Sequence, residues 1–150
     1  MADPDCLACQ ANRRELELSP WPPLIETEHW IVWHADRTSI PGWLVVSAAA
    51  HRGALHELSL PEFVQLAELL PRLTAALHAE LGTEKEYVAM FAEAPGFQHV
   101  HFHVVPRSRE WSPELTGPKV FRALGPDVDE PVSDGEVRHV LQRLGSTLGT

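Results

Sequence analysis

The sequence predicts a single α+β domain: an antiparallel sheet of about five strands, one long helix and a second helix near the C-terminus. Three observations predict it. Short apolar segments of strand character recur between turn residues. One stretch, 60–82, repeats apolar residues at helical spacing. Strands and helices also follow one another without a regular βαβ rhythm, which disfavours a parallel sheet. The chain has 150 residues, enough for one buried core. Its 44% hydrophobic and 22% charged content is ordinary for a globular domain and excludes bulk disorder.

The first segment carries Cys6-Leu7-Ala8-Cys9, then polar residues, then the rigid run Ser19-Pro20-Trp21-Pro22-Pro23. Leu24–Glu28 and Trp30–Ala35 read as two strands joined by a tight turn. The second strand is apolar on both faces, as in a largely covered sheet. Pro41-Gly42 breaks the chain and Trp43–Val46 reads as a buried strand, so Trp30, Trp33 and Trp43 are expected in the core. The long helix begins at Ser59 or its neighbour. Phe63, Leu66, Leu70, Leu73, Leu77 and Leu81 paint one stripe, Pro71 is expected to kink it, and Gly82 stops it. Tyr87–Phe91 and His99–Val105 complete the strands. Residues 107–132 read as an extended surface arm. A last helix starts near Ser133 and buries Val137, Val140, Leu141, Leu144 and Leu148. The expected domain therefore has a core at about 6–107 and a C-terminal arm and helix at 108–150.

Twelve basic against 21 acidic side chains leave a formal net charge of −9, which repels a polyanion and excludes non-specific nucleic-acid polymer binding. The longest apolar-rich run, Trp43–Ala50, is too short to span a bilayer, and the acidic start Met1-Ala2-Asp3-Pro4-Asp5 lacks the form of a secretory signal. Both point to a cytoplasmic protein in which Cys6 and Cys9 stay reduced.

The run His99-Val100-His101-Phe102-His103-Val104-Val105 carries the chemistry. Alternate strand residues share a face, so three imidazoles line one side while Val100, Phe102 and Val104 enter the core. Nine histidines scattered at random give such a trio only about 0.03 times per chain, so chance is a poor explanation. Imidazole offers two chemistries here. A neutral ring nitrogen can attack phosphorus, and neighbouring rings can handle protons near neutral pH. Alternatively, several histidines on one strand can ligate a metal. The spacing alone leaves both open.

The same run, followed by Pro106-Arg107, resembles the His-x-His-x-His-x-x signature of the histidine triad family. Upstream, Pro41-Gly42-Trp43-Leu44-Val45-Val46 and His51 are similar to that family's Gly-His-x-Leu-Val-Ile-Pro-Lys-x-His segment. The resemblance covers residues 6–107. It implies a histidine triad fold, often dimeric, and enzymes that hydrolyse or transfer nucleotides at the α-phosphorus through a covalent nucleotidyl-histidine. Substrates of the class are dinucleoside polyphosphates, nucleoside phosphoramidates and aminoacyl adenylates. By motif position the nucleophile is His101, and His103 contacts the phosphate or shuttles a proton. One branch of the family also carries an N-terminal Cys-x-x-Cys. The resemblance then makes Cys6, Cys9, His51 and His99 the ligands of a structural zinc.

Several positions depart from the pattern. The loop before the triad reads Ala94-Pro95-Gly96-Phe97-Gln98 rather than Gly-Gln-Ser/Thr, which leaves phosphate contacts to backbone amides at Gly96, to Gln98 and to His103. Asp36 stands one place late for the ribose-binding acid. Trp43 occupies a position where histidine is common, and Ser47-Ala48-Ala49-Ala50 replaces Pro-Lys. These changes keep a second reading alive, a zinc-stabilised nucleotide-binding module with little turnover.

Overall fold

The protein was analysed as a computed structural model that describes residues 3–150; Met1 and Ala2 of the acidic start lie outside the described residues. The element order is α1 (Leu7–Asn12), β1 (Ile25–Glu26), β2 (Trp30–His34), β3 (Leu44–Ala48), α2 (Leu60–Leu81), β4 (Lys85–Ala89), β5 (His101–Arg107) and α3 (Asp134–Leu148). The five strands form one antiparallel sheet in the order β1-β2-β3-β5-β4. The chain crosses over through α2, so β5 inserts between β3 and β4 and becomes a central strand.

Alternation along the strands sorts the residues onto two faces. Trp30, Val32, Leu44, Val46, Ala48, Val100 and Val104 pack beneath α2 and α3, with Leu66, Leu69, Leu73, Leu77, Val140 and Leu144 opposite them. Each such side chain contributes about 1.5–3 kcal/mol on burial. The other face carries Trp43, Val45 and Val105, and also His101 and His103.

Helix α2 starts with a reciprocal cap: the Ser59 hydroxyl accepts from Glu62 N–H, and the Glu62 carboxylate accepts from Ser59 N–H. Gly82 ends it in the left-handed conformation at φ +63°. The buried stripe differs from the expected one. It runs through Leu66, Leu69, Leu73, Ala76 and Leu77, with Leu70 and Leu81 only partly covered and Phe63 40% exposed. Glu62 takes the inward position instead, because it must reach both Ser59 and Arg52. The helix runs unbroken through Pro71, which lies on the exposed face where water can satisfy the freed carbonyl.

The C-terminal segment corrects the expectation of an extended arm over 107–132. Two short 3₁₀ segments, Pro113–Leu115 and Gly117–Ala123, fold it against the second face of the sheet. Val120, Ala123 and Val128 are buried, and Phe121 packs edge-on against Trp43. The polar composition of the segment hides the few apolar side chains that make this contact. Pro106 lies within β5 rather than ending it. The pairing with β3 stops at Val104, so no ladder bond is demanded of the proline on that side.

Candidate functional site

The N-terminal segment is placed by its cysteines. Cys6 caps α1, its sulfur accepting from Cys9 N–H at 3.4 Å, and Leu7 N–H donates to the Gly96 carbonyl at 2.8 Å. Backbone bonds bring the histidines to the same place: Val100 N–H donates to Arg52 O at 2.6 Å and Ala48 N–H to Val100 O at 3.0 Å. His51 and His99 thus stand beside the two thiols, their ring centroids 5.3 Å apart.

The four donor atoms of Cys6, Cys9, His51 and His99 lie within 4.8 Å of one another. Nδ1 of His99 is 3.5 Å from both sulfurs, and Nδ1 of His51 is 3.3 Å from Cys9 Sγ. A tetrahedral zinc with ordinary bond lengths places sulfur and nitrogen about 3.6 Å apart, so the set fits such an ion closely. The His99 ring is also oriented for it: Nε2–H donates to the Ala48 carbonyl at 2.7 Å, leaving the Nδ1 lone pair facing the sulfurs. Four protein donors leave no open position, so the chemistry of this set is that of a structural rather than catalytic ion. Burial, foremost, pushes the Cys9 thiol pKa up and the His99 imidazole pKa down.

At the start of β5, two residues on, Nδ1–H of His101 donates to the His99 carbonyl at 2.7 Å. That bond fixes the tautomer and leaves the Nε2 lone pair free. His101 and His103 stand with ring centroids 5.0 Å apart and line a cavity of about 580 Å³. His103 is buried, and its Nδ1 accepts from the Trp43 indole N–H at 3.0 Å. Burial and then the neighbouring His101 push its pKa down to about 4. The three imidazoles therefore do not converge on one metal: His99 faces the cysteines while His101 and His103 face the cavity.

Apolar side chains, among them Trp33, Phe91, Phe97 and Phe121, make most of the cavity wall. Asp36 lines it, whereas Gly96 and Gln98 are absent from its lining. Gly96 instead holds φ +79° against Leu7 and serves to seat α1. Trp33, expected in the core, is half-buried as a cavity wall, with the Arg14 guanidinium 5.0 Å from its ring centroid. Trp30 and Trp43 are fully buried as expected.

Sequence reasoning missed two residues of the cavity lining, one from each face of the sheet. Ser47 pairs across the strands with His101 and lines the cavity, and its hydroxyl is buried without a hydrogen-bond partner. Its place on the imidazole face follows from alternation along β3, so the signal was available. His34 is 1% exposed; its Nδ1–H donates to Ala35 O and its Nε2 accepts from Gly42 N–H. It is a fully satisfied neutral imidazole, kept so by burial, which lowers its pKa.

No family model matches the sequence, and no curated protein matches it. Solved structures do. The chain superposes on a hypothetical histidine triad nucleotide-binding protein from Sulfolobus tokodaii with a TM-score of 0.72 at 14% identity, over 96% of this chain and 92% of that one. A zinc-bound histidine triad family protein from Mycobacterium smegmatis gives 0.66 at 18% identity, over 96% and 93%. A Hit-like protein from Bartonella henselae, solved with an unknown ligand, gives 0.70 at 16% identity, over 97% and 98%. The chain has the histidine triad fold. The Mycobacterium smegmatis neighbour is zinc-bound, and in this chain Cys6, Cys9, His51 and His99 form a Cys2His2 cluster suited to such an ion.

Proposed function

We propose that this protein hydrolyses or transfers nucleotides at the α-phosphorus, with His101 as the nucleophile. The observation that carries the reading is the His101–His99 carbonyl bond, which aims a free Nε2 lone pair at the cavity. In the first step that lone pair attacks phosphorus. A phosphorus–nitrogen bond forms and the bond to the leaving group breaks; the leaving group takes the electron pair and, where it is an amine, a proton from water. Water then attacks the adduct, the phosphorus–nitrogen bond breaks, and His101 is restored. His103, whose ring centroid is 5.0 Å from that of His101, is assigned to the phosphoryl oxygens from the same cavity wall. Asp36, which lines the cavity, is assigned to the ribose; Gly96 and Gln98 lie outside the lining, so the phosphate contacts fall to His103.

Zinc held by Cys6, Cys9, His51 and His99 completes the reading as a structural ion that ties α1 beside the catalytic strand. We also infer a cytoplasmic homodimer; β1 and β4 are the edges of the sheet, and Val88 and Phe91 lie exposed at or just beyond β4. No helix among the described residues is long and apolar enough to cross a membrane.

The decisive experiment incubates purified protein with adenosine phosphoramidate and with diadenosine tetraphosphate, and traps the adduct for mass spectrometry. His101 carries a nucleotidyl group, and His101→Gly abolishes turnover, by 10³-fold or more, in a folded protein. Unchanged hydrolysis by that variant defeats the assignment. One observation favours the alternative of a binding module with little turnover: no lysine or arginine lines the cavity. Nucleotide binding without product release supports that alternative.

A further inference from the structure

Trp43 is fully buried at the entrance to β3, and its position is set from three sides. Gly42 precedes it in a turn at φ +86° whose N–H is held by His34. Phe121 lies edge-on at 5.4 Å between centroids, and His103 edge-on at 5.7 Å. The indole N–H then meets His103 Nδ1 at 3.0 Å.

An indole nitrogen donates and never accepts. Nδ1 of His103 must therefore be the acceptor, and the single ring proton sits on Nε2. A carboxylate or carbonyl at the same place does the opposite: it draws the proton to Nδ1, raises the basicity of the ring and readies Nε2 to collect a proton. An imidazole at position 43 leaves either arrangement open. Trp43 permits only one. Burial next to His101 disfavours a second proton in the same direction.

We propose that Trp43 is a positioning residue that locks His103 as the neutral Nε2–H tautomer, so that His103 donates a hydrogen bond to the phosphoryl oxygens and does not carry the leaving-group proton. The role in turnover rests on the nucleotidyl-transfer reading above; the tautomer does not. The proton needed by a leaving nitrogen then comes from water, while a phosphate leaving group departs as its anion and needs none. A preorganised donor of this kind is worth about 10²–10³ in kcat where it has been removed in other enzymes.

Nitrogen-15 spectra of the histidine-labelled wild-type protein at neutral pH give the tautomer directly. His103 shows a protonated Nε2 and an unprotonated Nδ1. An imidazolium or an Nδ1–H form overturns the proposal, whatever the protein's activity. Trp43→Phe keeps the aromatic packing and removes the N–H. It lowers kcat on adenosine phosphoramidate about 10- to 100-fold with KM within about threefold, and lets His103 sample both tautomers. A folded Trp43→Phe protein with wild-type kcat overturns the proposal. If Trp43→Phe does not fold, the wild-type spectrum decides. If the wild type turns over no nucleotide, the function fails while the tautomer remains measurable.

Discussion

His99 supports His101 through its backbone while its side chain faces the cysteines: the His99 carbonyl accepts from His101 Nδ1–H at 2.7 Å, and its Nδ1 lies 3.5 Å from Cys6 and Cys9 sulfurs. One residue thus joins the metal-competent cluster to the proposed nucleophile, His101. Zinc removal is therefore expected to act on both. Dialysis against a chelator lowers the melting temperature and, in protein still folded well below that temperature, lowers turnover too. Zinc content, circular dichroism and activity on the same sample check it. A zinc-free, folded sample with full activity breaks the link between the two sites.

Gly96→Ala tests the seat of α1. The added Cβ falls 2.8 Å from Leu7 Cδ1, and φ +79° strains any L-residue. Leu7 must move, although its N–H is tied to the Gly96 carbonyl and Cys6 directly precedes it. The expected cost is about 1–3 kcal/mol in stability, together with weaker zinc retention in a competition assay against a chromogenic chelator. Wild-type stability and zinc retention contradict this account of the loop.

The sheet and the imidazole row were legible because both rest on local rules. Alternation places Phe102 and Val104 under the helices and His101 and His103 on the other face. What was not legible depends on contacts distant in sequence. Residues 107–132 look polar because their burial rests on a few side chains, notably Val120 and Phe121, meeting a sheet face formed nearly 80 residues earlier around Trp43. Likewise the swap of Glu62 for Phe63 on the inward face of α2 follows from Arg52, which no helical periodicity reports. Cys6-x-x-Cys9 gained meaning only with His51 and His99 beside it, and the motif alone does not name them.

Ser47 holds a buried hydroxyl without a partner, an arrangement that costs about 1–3 kcal/mol. Ser47→Ala removes the cost and raises the melting temperature by about 2–4 °C per kcal/mol relieved. Ser47 also lines the cavity beside His101, and a turn about its χ1 would bring the hydroxyl to a ligand atom there. AMP affinity is accordingly expected to fall about 5- to 10-fold in the same variant, since a hydrogen bond is worth about 1 kcal/mol. Calorimetric titration and thermal melts read the two effects separately. A variant that is less stable, with AMP binding intact, shows that the hydroxyl has a partner within the fold.

Glu62 gives the acid limb of stability a specific origin. Burial works to raise its pKa, but the Ser59 N–H and hydroxyl and the Arg52 guanidinium, 3.1 Å away, outweigh it and leave the carboxyl below its ordinary value. A group with a lower pKa folded than unfolded stabilises the fold fully above the unfolded value. That stabilisation is lost as pH falls from about 4.5 through the folded pKa. Glu62→Gln preserves the shape and one acceptor but leaves Arg52 without its charge partner, a change of about 3–5 kcal/mol for fully buried pairs and less here, where Arg52 is partly exposed. The variant is expected to melt lower than wild type at pH 7. The gap should close progressively below about pH 4.5, because wild-type Glu62 loses its charge there too. Melting curves of both proteins across that range supply the test, and a gap that stays constant with pH removes Glu62 as the source.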